Sequence, residues 1–155
     1  MNGRVRRARL FLTMPRHKRR LLVEAALMMC AAKLALATLP FRRVTRWMGP
    51  PTPPGEPSIS PAANADVQRL RGISWAIATA APHLPFATPC LVRALAGHAM
   101  CRRRGLASIV HFGAPHGRGS LDGTHAWLDA SGVRLAGYPL DRDMVELGCF
   151  PWPAP

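Results

Sequence analysis

Acidic residues are scarce in this 155-residue chain: eight Asp and Glu stand against 21 Lys and Arg, and the formal net charge is +13. Most of that charge lies at the N-terminus, where residues 1–50 contain twelve basic residues and a single acid, Glu24, and carry +11. Such a surface suits an acidic partner, a nucleic acid or an anionic membrane. Aromatic residues make up only 6% of the sequence, with no array for base stacking and no known reading motif, which disfavours nucleic-acid recognition.

Paired cysteines are also missing. The four cysteines form no Cys-x-x-Cys pair and share no zinc-type spacing with the histidines, so neither a metal nor another cofactor is expected. They are Cys30, Cys90, Cys101 and Cys149. On a continuous helix Cys90 and Cys101 would lie roughly 16 Å apart, beyond the reach of a disulfide. The thiols are therefore expected to be reduced, which indicates the cytoplasm.

A long apolar run at residues 16–39 predicts a helix, because Leu and Ala dominate it and Gly is absent. Its basic front flank is typical of a membrane anchor or a signal peptide. Glu24 and Lys33 argue against a membrane span, since a charged side chain costs about 2.5–3.5 kcal/mol at the helix centre. No convincing cleavage site follows the run. We expect a helix that faces the core or a partner, with a membrane helix as the alternative.

Composition divides the chain into a basic and apolar helical region at 1–49, a Pro-rich linker at 50–61 and a main domain at 62–155. In the main domain we expect helices at 62–80 and from Cys90 to about 105. Strands are expected at 106–112, 125–130 and 133–136, a Gly-rich loop at 113–124 and an irregular tail at 149–155. Helices followed by a small antiparallel sheet indicate the α+β class.

Cys90 and His125 are the candidate chemistry. Thr88 is an acceptable helix N-cap and Pro89 suits the first helical position, which would place Cys90 in the first turn. Unpaired backbone N–H groups there favour a thiolate and an oxyanion. Taken singly, a structural cysteine and a structural histidine are the commoner cases. Their order along the chain, however, is that of papain-like and transglutaminase-like enzymes: a Cys at the start of a helix, then a strand, then a His at the start of the next strand.

Several segments resemble a known family. Residues 89–95 (PCLVRAL), 101–106 (CRRRGL) and 125–128 (HAWL), with 11–16 (FLTMPR) and 39–43 (LPFRR), are similar to the lasso-peptide leader peptidases of the transglutaminase-like cysteine protease group. The resemblance spans about residues 10–137. It implies a papain/transglutaminase-like core, in which the catalytic helix packs on the sheet. It also implies removal of the leader from a ribosomally made precursor, which frees the core N-terminus.

The resemblance also implies partners. These are the precursor peptide as substrate, a separate leader-recognition protein, and an asparagine-synthetase-like cyclase that closes the ring; no nucleic acid is expected. Two other functions stay open. One is a basic adaptor without chemistry that binds nucleic acid or an anionic membrane surface, and the other is transglutaminase-like acyl transfer.

The third catalytic residue is the weak part of the resemblance. Family members often have an Asp about a dozen residues after the His, and Gly137 stands there. Asp129 is about 13 Å along the strand from His125 and is too far. Asp141 is the candidate, Asp143 a poorer one, and a backbone carbonyl or the Tyr138 hydroxyl is the alternative. The other histidines, His17, His83, His98, His111 and His116, are expected to be structural or solvated.

Overall fold

The computed structural model describes residues 11–55, 64–116 and 123–153. Among these residues the longer helices come first: α1 Arg16–Thr38, α2 Phe41–Met48, α3 Asn64–Ala80 and α4 Cys90–Arg102, with a short 3-10 turn at Ala81–His83. Four strands follow: β1 Ser108–Pro115, β2 His125–Ala130, β3 Val133–Ala136 and β4 Met144–Trp152. The α+β prediction is confirmed. The N-terminal ten residues, the second half of the linker and the middle of the Gly-rich loop lie outside the described residues.

The strands form one antiparallel sheet in the order β3-β2-β1-β4. The β2 and β3 strands have the predicted bounds, whereas β1 extends to Pro115 and so includes the first residues of the expected loop. The expectation of an irregular tail is wrong for residues 149–152, because β4 pairs with β1 from Met144 to Trp152. The strand contains Pro151, which an edge strand tolerates because the missing N–H removes no hydrogen bond from the centre of the sheet.

A single apolar core joins α1 to the rest of the chain. Leu22, Ala25 and Met29 on one face of α1 are buried in the same cluster as Ile77 of α3 and Leu128 of β2. These contacts place the helices against one face of the sheet.

The opposite face of α1 is exposed. It presents the large apolar side chains Val23, Leu27 and Leu34. Within the described residues α1 is long and apolar enough to cross a membrane by length and composition alone, and 22% of its most apolar window is buried. One face of α1 is thus a core surface, and the other is an uncovered apolar stripe.

Glu24 is the acid inside this apolar helix, and it is paired. Its carboxylate accepts hydrogen bonds from both terminal nitrogens of Arg104, at 2.9 and 2.5 Å, and lies 3.4 Å from Arg103 Nε. The hydrogen bonds from Arg104 lower the pKa of Glu24. Arg104 also donates to the Met100 carbonyl at 2.9 Å, so it satisfies an orphan group of the last turn of α4. This arginine joins the C-terminal end of α4 to α1.

Candidate functional site

Cys90 is the first residue of α4 and is half-buried. Pro89, with φ −60° and ψ 167°, is the N-cap residue, and no described side chain caps the helix. The prediction that Thr88 is the cap is wrong: its hydroxyl instead accepts a hydrogen bond from Arg93 Nε at 3.3 Å. The backbone N–H groups of the first turn are therefore left without a side-chain cap beside the thiol.

The direction of α4 places Cys90 at the same end of the fold as His125. Only residues 103–107 join α4 to β1, and His98 Nδ1 lies 3.0 Å from Ser108 Oγ, so β1 runs back along the helix. The β2 strand is antiparallel to β1 and hence runs in the direction of α4. A Cβ on Gly97 would lie 2.5 Å from Leu128 Cδ2, which shows that the helix and the strand pack closely at this point.

Cys90 and His125 lie at similar distances from that contact, one along α4 and the other along β2. Cys90 lies seven residues back along the helix, about 10.5 Å at 1.5 Å per residue. His125 lies three residues back along β2, about 10 Å at 3.3 Å per residue. No hydrogen bond joins the thiol to the imidazole in the described part of the chain. Catalytic hydrogen bonds are often long before substrate binds, so this does not argue against the pair.

The imidazole of His125 is held by the backbone. Its Nε2 lies 2.6 Å from the carbonyl oxygen of Gly137. A carbonyl oxygen only accepts hydrogen bonds, so Nε2 carries the proton of the neutral ring. The other nitrogen, Nδ1, is then unprotonated and has its lone pair available to accept a proton.

Residue 137 is a glycine because its backbone conformation and close packing leave no room for a side chain. Its φ is +83°, a conformation that L side chains rarely adopt. A Cβ at this residue would clash with the Ala126 carbonyl oxygen and lie 2.7 Å from Trp127 Cα. An aspartate does not fit this backbone, and the carbonyl of residue 137 holds the ring instead. A backbone carbonyl was one of the two alternatives to Asp141, and the carbonyl of Gly137 is the group that His125 Nε2 contacts in this structure.

The two acid candidates do not hold the imidazole in this structure. Asp141 and Asp143 are exposed, and in the described residues neither makes a hydrogen bond or ion pair with His125. The Asp141 backbone carbonyl accepts a hydrogen bond from the Met144 N–H at 3.1 Å in the turn before β4. Its catalytic role stays a prediction. The Tyr138 hydroxyl, the other alternative, donates to the Asp129 carboxylate at 2.7 Å.

The other thiols differ from Cys90 in their surroundings. Cys101 is fully buried, and burial raises the pKa of its thiol to about 12. Cys149 is buried in β4, and Cys30 is exposed on α1, away from the start of α4. His98 is buried as well, which lowers its pKa to about 4 and keeps it neutral at pH 7. Cys90 alone combines partial exposure with a helix start.

Two features, one at this site and one outside it, were not predicted from the sequence. The first is which carbonyl holds His125, because a glycine carries no side-chain signal for such a role. The second is a group of His111, Glu146 and Cys149, whose potential metal-ligand atoms all lie within 4.8 Å of one another. Their wide sequence separation conceals this group. A Glu-x-x-Cys spacing late in the chain is the one local signal.

Comparison with known proteins supports the chemistry of this arrangement at the level of the family. The model of the transglutaminase-like superfamily matches residues 35–146, which include Cys90, His125 and Gly137. No curated protein and no solved structure matches the chain. The match covers well over half of the sequence. The chain therefore belongs to the transglutaminase-like superfamily, whose members are often cysteine peptidases or acyltransferases.

Proposed function

We propose that this protein is a cysteine peptidase that removes the leader from a ribosomally made lasso-peptide precursor. The observation that carries the peptidase chemistry is the hydrogen bond from His125 Nε2 to the Gly137 carbonyl, since it leaves Nδ1 as a base at the Cys90 end of the fold. The lasso-peptide substrate comes from the resemblance of the Cys90 and His125 segments and of two N-terminal segments to the leader peptidases.

The proposed reaction has two steps. His125 Nδ1 takes the thiol proton of Cys90, and the sulfur attacks the scissile carbonyl carbon. First-turn N–H groups of α4 stabilise the oxyanion, and the imidazolium then protonates the leaving amine, which is the new N-terminus of the core peptide. Water hydrolyses the leader thioester with His125 as base, releasing the leader and restoring the thiol.

The proposed partners follow from the same function. A separate leader-recognition protein delivers the precursor, and an asparagine-synthetase-like cyclase joins the freed amine to an acidic side chain. The protein acts in the cytoplasm in this proposal.

The decisive experiment incubates the precursor with this protein and the leader-recognition protein from its gene neighbourhood, and follows the leader by mass spectrometry. We expect no cleavage by Cys90→Ala and a loss of about 10²–10⁴-fold for His125→Ala, the usual worth of a general base. Cys30→Ala is the matched control, because it removes an exposed thiol on α1 and leaves the site intact. Full cleavage by Cys90→Ala would refute the proposal.

Asp141→Ala tests the third residue in the same assay. Wild-type turnover would remove Asp141 from the mechanism and leave the Gly137 carbonyl as the group that orients the ring. A fall in kcat with unchanged KM would instead show that Asp141 reaches the imidazole when substrate binds.

Acyl transfer is the second candidate function, because the superfamily also contains acyltransferases. The leader thioester on Cys90 would then react with an amine in place of water. Adding a primary amine to the cleavage reaction separates the two outcomes: a leader amide as the main product supports transfer, and free leader acid supports hydrolysis.

A further inference from the structure

The sheet face opposite the helices carries a polar cluster that is separate from Cys90. His111 on β1 pairs with Cys149 on β4 and with Trp127 on β2, so these three side chains share one face. The neighbouring residue Val110 faces the helical core. A bridge between Thr52 and Cys149 lays the linker along the outer edge of β4. The cluster is therefore partly covered by protein.

A β-bulge brings Glu146 into this cluster. Glu146 and Cys149 are an odd number of residues apart, so a regular strand would place them on opposite faces. The pairing shifts between Phe112 and Gly113, with Gly148 opposite Phe112 and Glu146 opposite Gly113. The extra residue reverses the alternation and turns Glu146 to the side of Cys149.

Gly113 makes room for this arrangement. A Cβ at Gly113 would lie 2.7 Å from the Val145 carbonyl oxygen and 2.8 Å from the Trp127 ring. The flat Trp127 ring packs in that space and stacks on His111, with centroids 5.2 Å apart and an interplanar angle of 5°. The stacking fixes the plane of the His111 ring.

The three donors are close to a tetrahedral ligand set. His111 Nδ1 lies 2.6 Å from Glu146 Oε1, and one ligand atom from each of His111, Glu146 and Cys149 lies within 4.8 Å of the other two. Tetrahedral zinc with bonds of about 2.0–2.3 Å needs ligand atoms about 3.3–3.6 Å apart. The distance between His111 Nδ1 and Glu146 Oε1 must open by about 0.7 Å, which rotation of the partly exposed Glu146 side chain allows. A distance at the 4.8 Å limit must close by about 1.2 Å, and where it involves the Cys149 sulfur the Cys149 side chain must also move.

The other ring nitrogen of His111, Nε2, lies near a carboxylate, as it commonly does in histidines that bind a metal through the first nitrogen. Its Nε2 is buried and has no hydrogen-bond partner among the described residues, yet the nearest Asp129 carboxylate oxygen lies 3.6 Å away. The Tyr138 hydroxyl holds that carboxylate at 2.7 Å. Metal-bound histidines commonly donate their other ring N–H to such a carboxylate, which fixes the tautomer and strengthens the ligand.

We propose that His111 Nδ1, Glu146 and Cys149 bind a divalent transition-metal ion, with zinc favoured by the mixed nitrogen, oxygen and sulfur donors. Asp129 orients His111 from the outer shell, and water completes the tetrahedron. The ion joins β1 to the edge strand β4. The site is independent of the proposed peptidase function, since it contains neither Cys90 nor His125.

The test is a titration of the chelator-treated, reduced full-length protein with Co²⁺, followed by absorption spectroscopy. We expect one equivalent to bind with the visible bands of tetrahedral cobalt and a near-ultraviolet thiolate-to-cobalt band. Cys149→Ser removes the thiolate band, and Cys30→Ser and Cys90→Ala retain it. Zn²⁺ added to the cobalt-loaded protein bleaches the spectrum.

Two further variants keep the proposal testable if Cys149→Ser does not fold. Glu146→Gln alters a partly exposed ligand, and Asp129→Asn weakens Co²⁺ binding by about 10–100-fold, as expected for an outer-shell carboxylate. Circular dichroism of the metal-free variants checks their folding. The proposal is overturned if the wild type binds no Co²⁺, if bound Co²⁺ gives no thiolate band, or if a folded Glu146→Gln protein binds it like the wild type.

Discussion

A comparison of two glycines tests how the Gly137 carbonyl is held against His125. Gly132 and Gly137 both have positive φ, +81° and +83°, and both lie near β3. A Cβ on Gly132 would meet nothing within 4 Å, whereas a Cβ on Gly137 would meet the backbone of Ala126 and Trp127. Alanine at either position imposes the same backbone strain, but only at Gly137 does it also create a clash.

The expected free energies follow from these two terms. The left-handed conformation costs an L residue about 1–2 kcal/mol, so Gly132→Ala should lower the free energy of unfolding by that amount. Overpacking adds about 1–3 kcal/mol, and Gly137→Ala should lower it by about 2–5 kcal/mol. At about 2–4 °C per kcal/mol for a chain of this size, the melting temperatures of the two variants should differ by about 2–12 °C.

Urea unfolding followed by circular dichroism measures both free energies, and the precursor-cleavage assay well below the melting temperatures measures the site. We expect Gly137→Ala to lose activity, because the clash displaces the carbonyl from His125 Nε2, and Gly132→Ala to retain it. Equal destabilisation within about 0.5 kcal/mol, with equal activity, would refute the conclusion that close packing against β2 positions this carbonyl.

Three further predictions use groups outside the site. Glu24→Gln should lower the free energy of unfolding, measured by urea unfolding, by about 1.5–3 kcal/mol at neutral pH. Because the pKa of Glu24 is lowered in the folded state, this difference from the wild type should shrink as the pH falls below about 4. A difference that stays constant with pH would contradict the ion pair. In the folded protein at neutral pH a maleimide should modify Cys30 but not Cys101, which mass spectrometry resolves; rapid loss of the Cys101 thiol would show that it is not buried. Burial and the Asp129 carboxylate raise the pKa of Tyr138, which is the only tyrosine in the chain. Ultraviolet titration should therefore show that the phenol ionises above the ordinary pKa of tyrosine, and Asp129→Asn should lower the midpoint of that titration. An unchanged midpoint would contradict the hydrogen bond between Tyr138 and Asp129.

Local sequence signals predicted much of the fold. Proline before Cys90 indicates a helix start, and Gly105 with its preceding arginines indicates the helix end, so α4 was predicted within a few residues. The Ser131-Gly132 turn predicted the hairpin of β2 and β3 with its bounds. These elements depend on neighbouring residues, and their order sufficed for the α+β class.

The β4 strand shows where local signals fail. Prolines near its end suggested an irregular tail, because the sequence does not reveal that Pro151 lies on an edge strand. The pairing of β4 with β1 joins residues far apart in the chain. Strand register between such segments depends on the whole packed sheet, so it has no short-range signature.

The sequence by itself located the two candidate catalytic residues, Cys90 at the start of a helix and His125 at the start of a strand, since both positions follow from local helix and turn chemistry. Only the tertiary structure decided which group holds the imidazole. The glycine at 137 lets the chain pass close to β2 and present its carbonyl to His125. Only the tertiary structure, through a bulge in β4, also decided that Glu146 joins His111 and Cys149. Both arrangements depend on backbone geometry between strands, which side-chain patterns do not encode.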